Sequence, residues 1–137
     1  MEIPSGFELH RRSSPVTRPW EPIYAKIAGG RIIIGLEIRP EHTNSRGLLH
    51  GGLIAALSDN AMGLSVGQKL VVDGRLSGRS AITMSLSIDF INKAEIGEWL
   101  EVDTQFIHAG NRQAVTQAFV TANGRIIARA NGTFGIT

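Results

Sequence analysis

The chain contains no cysteine and no long apolar run. Without cysteine it has no disulfide scaffold, no thiol nucleophile and no zinc–thiolate site. A membrane-spanning helix needs about 18 or more consecutive apolar residues, and the sequence offers no such run. The first dozen residues include an early acid and lack the apolar stretch of a secretory signal. These absences predict a cytoplasmic protein with no membrane partner.

Signals for nucleic acids, metals and cofactors are also weak. The sequence has two Trp, one Tyr, a net charge of only +2 and no run of Lys and Arg, which argues against a nucleic-acid partner. The four His residues lack metal-ligand spacing, and neither a P-loop nor a dinucleotide-binding glycine motif is present. We therefore expect no metal and no cofactor.

The charge is unevenly distributed along the chain. Residues 104–137 carry no acid but include Arg112, Arg125 and Arg129. A segment that is basic throughout favours an anionic ligand, and the weak nucleic-acid signal makes a small phosphorylated molecule the better candidate.

The 137 residues predict one domain spanning the whole chain, with an arm at 1–22. Four prolines interrupt the arm, so we expect at most a short helical turn there. Strands are predicted at 23–27 and 31–39, joined by a hairpin turn at Gly29 and Gly30.

The period of the apolar residues changes after this hairpin. Residues 53–69 predict a helix, with Leu53, Leu57 and Leu64 on one face. Residues 84–90 alternate as in a half-buried strand, and further strands are predicted at 97–108, 113–122 and 125–135. The predicted order, β-β-α-β-β-β-β, indicates an α+β fold in which an antiparallel sheet surrounds one helix.

Two glycines, Gly51 and Gly52, stand at the predicted helix start. A helix start exposes backbone N–H donors at the positive end of the dipole. Without a Cβ, these residues allow a carbonyl oxygen to approach the donors, as in an oxyanion site. A tight turn that needs positive φ is the alternative interpretation.

Asp59 is the only acid between Glu41 and Asp73, and it lies within the most apolar helix. A partly buried Asp59 is a candidate general base, whereas an Asp59 on the solvent face needs no function. His50 and Asp59 are nine residues apart, which on one helix means about 13.5 Å of rise and about 180° of rotation. If they cooperate, a second subunit must supply one of them, which predicts an obligate homodimer with shared sites.

The segment from Asn44 through Gly47, His50, Gly51 and Gly52 to Asp59 resembles the signature of the PaaI-type hotdog-fold acyl-CoA thioesterases. The hairpin at 29–30, Thr83 and the tail at 124–128 extend the resemblance over most of the chain. It implies a long helix wrapped by an antiparallel sheet, assembled as a homodimer or homotetramer. It also implies hydrolysis of an acyl-CoA to a carboxylic acid and coenzyme A.

The resemblance assigns roles to individual residues. The Gly51 N–H polarises the thioester carbonyl, with Gly52 beside it, and Asp59 of the partner subunit is the general base or nucleophile. Thr83 helps to hold the water or the acid. The remaining assignments are His50 and Asn44 as residues that position the thioester or water, and Arg46, Arg112, Arg125 and Arg129 as candidates for the coenzyme A phosphates.

Alternative functions remain open at this point. One is a non-catalytic acyl-CoA-binding or sensing module, and another is a hotdog hydratase or dehydratase. The G-x-S-x-G match around Ser65 is rejected as a nucleophile elbow, because the elbow needs a strand before the serine and here a helix precedes it. The acyl group, aromatic or medium-chain aliphatic, is not specified by the sequence.

Overall fold

The computed structural model describes residues 1–12, 14–75 and 80–137. A seven-stranded antiparallel sheet packs around one long helix, α1, at Gly51–Val72. Short 3₁₀ helices lie at Arg18–Trp20 and Pro40–His42. The strands are β1 Glu8–Leu9, β2 Tyr24–Ala28, β3 Arg31–Glu37, β4 Ala81–Phe90, β5 Trp99–Ala109, β6 Gln113–Ala122 and β7 Arg125–Ile136. Their order across the sheet is β1-β2-β3-β5-β6-β7-β4, and the predicted α+β hotdog fold is confirmed.

The predicted hairpin turn at Gly29 and Gly30 is present, and a turn of the same kind joins β6 to β7. Gly29 and Gly30 both have positive φ, as do Asn123 and Gly124 between β6 and β7. Two consecutive residues of this conformation match the right-handed twist of paired strands, which explains why glycine and asparagine occupy these turns.

The N-terminal arm differs from its prediction. Besides the 3₁₀ turn, it contains β1, which pairs with Tyr24 and Ala25 of β2, so the sheet has seven strands rather than six. Phe7, next to β1, packs edge-on against Trp99 with ring centroids 5.3 Å apart. A two-residue strand is too short to show an alternation of apolar and polar residues, so only its pairing with β2 defines it.

The helix buries the face formed by Leu53, Ile54, Leu57, Ser58, Ala61, Met62, Ser65, Val66 and Leu70. Leu64 was predicted on this face but is only half-buried. Ser65 is fully buried, accepts a hydrogen bond from the Ile32 N–H at 3.2 Å and donates one to the Ile32 carbonyl at 3.1 Å. Its hydroxyl therefore fastens α1 to β3, which accounts for this serine without a nucleophilic role.

Strand β4 forms one edge of the sheet, and its prediction as half-buried is wrong for the single chain. Met84 is 63% exposed, Phe90 58%, Ile82 55% and Leu86 37%. A long apolar edge strand with free N–H and C=O groups is a ready template for pairing with another strand. The apolar pattern in β4 therefore reflects a surface that this chain alone does not cover.

Candidate active site

Asp59 lies at the contact between α1 and β4. It is half-buried, and its Oδ1 accepts a hydrogen bond of 2.5 Å from the Thr83 hydroxyl. Asp59 is therefore not fully exposed to solvent, in contrast to the alternative of an Asp59 on the solvent face. The hydroxyl fixes one carboxylate oxygen, so the other can face a ligand.

A β-bulge explains why Thr83 reaches the helix. The pairing of β4 with β7 shifts between Thr83 and Ser85, so Met84 is an extra residue. Thr83 pairs with the buried Phe134 on one side of the bulge, and Phe90 pairs with a buried residue of β7 on the other. Strict alternation through β4 would put Thr83 on the face opposite Phe90, whereas the bulge brings both onto the helix side.

A cleft of about 480 Å³ adjoins Asp59. Its apolar wall consists of Ile32, Leu64, Val71, Ala81 and Phe134, and its polar residues are Arg12, Asn60, Gln68, Ser80 and Thr83; Gly63 and Gly67 complete the lining. The cleft places the Asp59 carboxylate beside a groove of mixed polar and apolar lining, which can hold a ligand with a reactive polar head and an apolar tail.

The start of α1 offers one backbone donor rather than two. The His50 Nδ1 accepts a hydrogen bond from the Gly52 N–H at 2.8 Å and so caps the helix. The Gly52 N–H is therefore not a free donor in the single chain, and the place of Gly52 in the substrate site stays a prediction. Within residues 1–12, 14–75 and 80–137, the Gly51 N–H has no acceptor and points from the positive end of the helix dipole.

Local packing explains why both residues are glycine. A Cβ at position 52 would lie 3.0 Å from the His50 ring, which would disturb the cap. A Cβ at position 51 would lie 3.3 Å from the Phe90 ring. The C-terminal end of β4 therefore covers the helix start, while the N-terminal end of β4 contacts Asp59.

Asn44 shapes the loop before the helix. Its Oδ1 accepts hydrogen bonds from the backbone N–H groups of Arg46, at 2.9 Å, and Leu48, at 3.2 Å. This is an Asx-type turn, and it determines the path of the chain into α1. The side-chain oxygen of Asn44 therefore makes its hydrogen bonds within the loop, and its role in the single chain is to position the loop.

Two of the four predicted phosphate-binding arginines are paired within the chain. Arg125 donates to both Glu98 carboxylate oxygens and holds the pKa of that carboxyl below its ordinary value. Arg129 donates to Asp89 at 2.8 Å. Two of the three arginines in the acid-free segment, Arg125 and Arg129, are therefore paired with acids from elsewhere in the chain, although all four arginines are exposed.

A buried histidine anchors the N-terminal arm near the helix start. The Nδ1 atom of His42 accepts from the Arg39 N–H, and its Nε2 lies 2.9 Å from the Trp20 carbonyl. Since a carbonyl only accepts, Nε2 carries the proton in this arrangement. Burial, assisted by the charge of Arg39, lowers the pKa of His42, although the Trp20 contact and Glu41 oppose the shift.

Asp59 and Gly51 of one chain cannot share a reacting atom. They are eight residues apart on α1, which corresponds to about 12 Å of rise along the axis. If the free Gly51 N–H and Asp59 cooperate, a second subunit must therefore supply one of them, as for His50 and Asp59.

Sequence reasoning missed two residues near these groups. Arg12 lines the Asp59 cleft from the N-terminal arm, and Phe90 covers Gly51. Arg12 stands in an Arg pair that could have drawn notice, but only the folded arm places it beside α1. Phe90 could not be paired with Gly51 from sequence, because the contact joins residues about 40 positions apart in a fold that brings β4 back over the helix.

Neither a metal site nor a membrane helix is found in the described part of the chain. No group of three or more His, Asp or Glu residues among these positions could hold a metal ion. No helix among them is long and apolar enough to span a bilayer.

Comparison with known proteins identifies the family. A family model described as the thioesterase superfamily matches residues 46–128. The chain is 32% identical over 135 residues to a proposed esterase from Pseudomonas aeruginosa, covering 98% of this chain and 97% of that protein. It is 30% identical over 123 residues to human acyl-coenzyme A thioesterase 13, covering 85% and 84% of the two chains.

A solved structure supports the fold independently. A variant of the phenylacetic acid degradation protein PaaI from Thermus thermophilus matches with a TM-score of 0.75 and 22% identity, covering 89% of this chain and 98% of that one. This match shows the hotdog fold, while the predicted membership of the thioesterases is confirmed by the family model and the relatives. The chain is a thioester hydrolase that belongs to the thioesterase superfamily.

Proposed function

We propose that this protein hydrolyses acyl-CoA thioesters to a carboxylic acid and free coenzyme A, in a homodimer whose two active sites are shared between subunits. The observation that carries the proposal is the placement of Asp59 and Gly51 at opposite ends of the same exposed edge strand. Asp59 contacts the strand through Thr83, and a Cβ built on Gly51 would lie 3.3 Å from the Phe90 ring at the other end of the strand.

Pairing of β4 with its symmetry copy would complete the site. A two-fold axis through the middle of Ala81–Phe90 pairs the strands antiparallel and covers the apolar side chains that are exposed in the single chain. The Thr83 end of one strand then lies beside the Phe90 end of the other. Paired strands are separated by about 4.8 Å, so Asp59 of one subunit approaches the Gly51 N–H of its partner.

The chemistry of such a site suits a thioester. The carbonyl oxygen accepts from the Gly51 N–H, which stabilises the negative charge that develops as the tetrahedral intermediate forms. Asp59 either takes a proton from an attacking water or attacks the carbonyl carbon itself, in which case water then hydrolyses the anhydride. Collapse of the intermediate breaks the C–S bond, and the thiolate leaves and takes up a proton.

The surrounding residues would position the reacting groups or bind coenzyme A rather than take part in bond breaking. Thr83 orients Asp59, while His50 and Asn44 shape the helix start and its loop. Arg46 and Arg112, which are exposed, are the best candidates for the coenzyme A phosphates, whereas Arg125 and Arg129 would first have to leave their carboxylate partners. The name of the human relative, an acyl-coenzyme A thioesterase, supports this substrate class.

A homotetramer is the larger assembly that the proposal includes. The outer face of the sheet carries exposed Phe106 and Val115 around a shallow cavity lined also by Ser85 and Ser87. A second dimer could cover this face without entering the site.

The proposal is tested by turnover of an acyl-CoA panel, with free thiol measured directly. Asp59→Asn keeps the shape of the side chain but removes the base and nucleophile, so we expect a loss of at least about a hundredfold in kcat. Asp73→Asn, at the ion-paired C-terminal end of α1, is the matched control and should retain activity. Full activity of Asp59→Asn contradicts the mechanism.

A further inference from the structure

The cleft beside Asp59 continues along the helix. Asp59, Gly63, Gly67 and Val71 follow one another at intervals of four residues, so they form one row on the surface of α1. All four line the same cleft. From Asp59 to Gly67 the row advances by about 12 Å, which makes the cleft a groove that starts at the candidate catalytic carboxylate.

The missing side chains at two positions of this row create the groove. A Cβ at Gly63 would contact the Phe134 ring at 3.4 Å, whereas a Cβ at Gly67 would meet no atom within 4 Å. Glycine inside a helix lowers its stability relative to alanine, and no packing contact in the described residues requires glycine at position 67. The space itself is therefore the feature that distinguishes this position.

The walls indicate which part of a thioester would fit. Ile32, Leu64 and Phe134 form apolar walls, while the polar side chains beyond Asp59 belong to Arg12, Asn60, Gln68, Ser80 and Thr83. An aliphatic chain gains from contact with the apolar walls.

We infer that the groove binds the aliphatic acyl chain of the substrate and that Gly67 determines the longest chain that it accepts. This inference rests on the proposed function, because it takes the thioester carbonyl to be at Asp59. The acyl chain then runs from Asp59 past Gly63 to Gly67, and the coenzyme A moiety leaves the site in another direction. The substrate class is medium-chain aliphatic rather than acetyl or aromatic acyl thioesters.

The test compares Gly67→Ala and Gly67→Leu with the wild-type protein on acetyl-, hexanoyl-, decanoyl- and benzoyl-CoA. We expect wild-type kcat/KM to rise from acetyl to decanoyl. Gly67→Leu should lower kcat/KM for decanoyl-CoA by at least about tenfold, the size of discrimination that a few buried methylenes provide, and leave acetyl-CoA nearly unchanged. The kcat/KM of Gly67→Ala for decanoyl-CoA should lie between those of the wild-type protein and Gly67→Leu. Its midpoint of thermal unfolding should be higher than that of the wild-type protein.

Two controls keep the outcomes distinct. Val72→Leu adds bulk at an exposed neighbouring position that does not line the cleft and should preserve the chain-length profile. Thermal unfolding of every variant separates a folding defect from a change in specificity.

Three results would overturn the inference. The first is an unchanged chain-length profile in a folded Gly67→Leu variant. The second is an equal loss for all four substrates together with weaker inhibition by free coenzyme A, which would mean that the groove holds the pantetheine arm. The third is a wild-type preference for acetyl- or benzoyl-CoA. If the wild-type protein releases thiol from none of the four substrates, the proposed function fails as well.

Discussion

The hydroxyl of Thr83 donates a 2.5 Å hydrogen bond to Asp59, across the contact between the edge strand and the helix. The bond exists because an extra residue in β4, Met84, turns Thr83 toward the helix. A carboxylate that accepts such a bond is held in one orientation, and its second oxygen stays available. Turnover should therefore depend on the placement of this carboxylate.

Loss of the Thr83 hydroxyl should impair turnover without unfolding the protein. Thr83→Val keeps the β-branched shape in a strand but cannot donate to Asp59. A hydrogen bond to a charged group contributes about 1.5–3 kcal/mol, so we expect kcat to fall by roughly ten- to a hundredfold. Thr83→Ser retains a hydroxyl and should recover most of the activity. Equal activity of the Val and Ser variants would show that the bond does not orient the base.

The Gly51 N–H can be removed without removing the helix start. Proline is favoured at the first position of a helix, and His50 already has the extended conformation that a residue before proline needs. Gly51→Pro should therefore fold, lack the donor and lose about 10²–10³ in kcat. Gly51→Ala introduces the same first carbon beside Phe90 but keeps the N–H, so it should remain much more active. Steady-state kinetics on the two variants tests the oxyanion role, and similar losses in both would assign the effect to crowding by the added carbon.

Assembly through β4 should depend on the middle of that strand. Leu86 is 37% exposed and lies near the centre of β4, so Leu86→Lys brings two like charges together across the proposed axis. We expect dissociation to monomers in analytical ultracentrifugation and loss of turnover per chain. Ile27→Lys alters an exposed apolar residue of β2, near the opposite edge of the sheet, and should leave the dimer intact. A fully active Leu86→Lys monomer would refute the shared site.

His42 makes stability depend on pH. Its pKa is lowered in the folded protein, so the unfolded chain binds a proton more readily. Stability is therefore complete above the ordinary pKa of 6.5 and falls as the pH drops from 6.5 toward the lowered value.

Chemical denaturation at pH 8 and pH 5.5 measures this effect. His42→Gln does not take up a proton in this range, so its free energy of unfolding should change less between the two pH values than that of the wild-type protein. Part of the wild-type slope should remain in the variant, because burial also lowers the pKa of His10. An identical slope in both proteins would exclude His42 as its source.

Local patterns in the sequence predicted the parts of the site that are local in the fold. The glycines at the helix start, the position of Asp59 in the helix and the turns at Gly29 and Asn123 each follow from a few adjacent residues. Periodicity predicted most of α1, at 53–69 against the observed Gly51–Val72, and the motif along the same continuous segment carried the resemblance to the hotdog fold.

The parts that were missed depend on contacts between distant segments. The bulge at Met84 reverses the face of Thr83, and no alternation rule reveals where an extra residue will be accommodated. The pairing of Arg129 with Asp89 joins residues 40 positions apart, so the acid-free segment looked freer than it is. The exposure of β4 was missed for a similar reason. An apolar pattern in a strand does not show whether residues of the same chain cover it.

The most direct test of the shared site is complementation between two inactive variants. Asp59→Asn and Gly51→Pro subunits are mixed, allowed to exchange, and assayed for thiol release. In a shared-site heterodimer, one site combines both defects and the other combines two intact residues, so random mixing in equal amounts should restore about a quarter of wild-type activity per chain. If the mixture of exchanged, folded heterodimers remains as inactive as the separate variants, Asp59 and Gly51 do not act together across the subunit boundary.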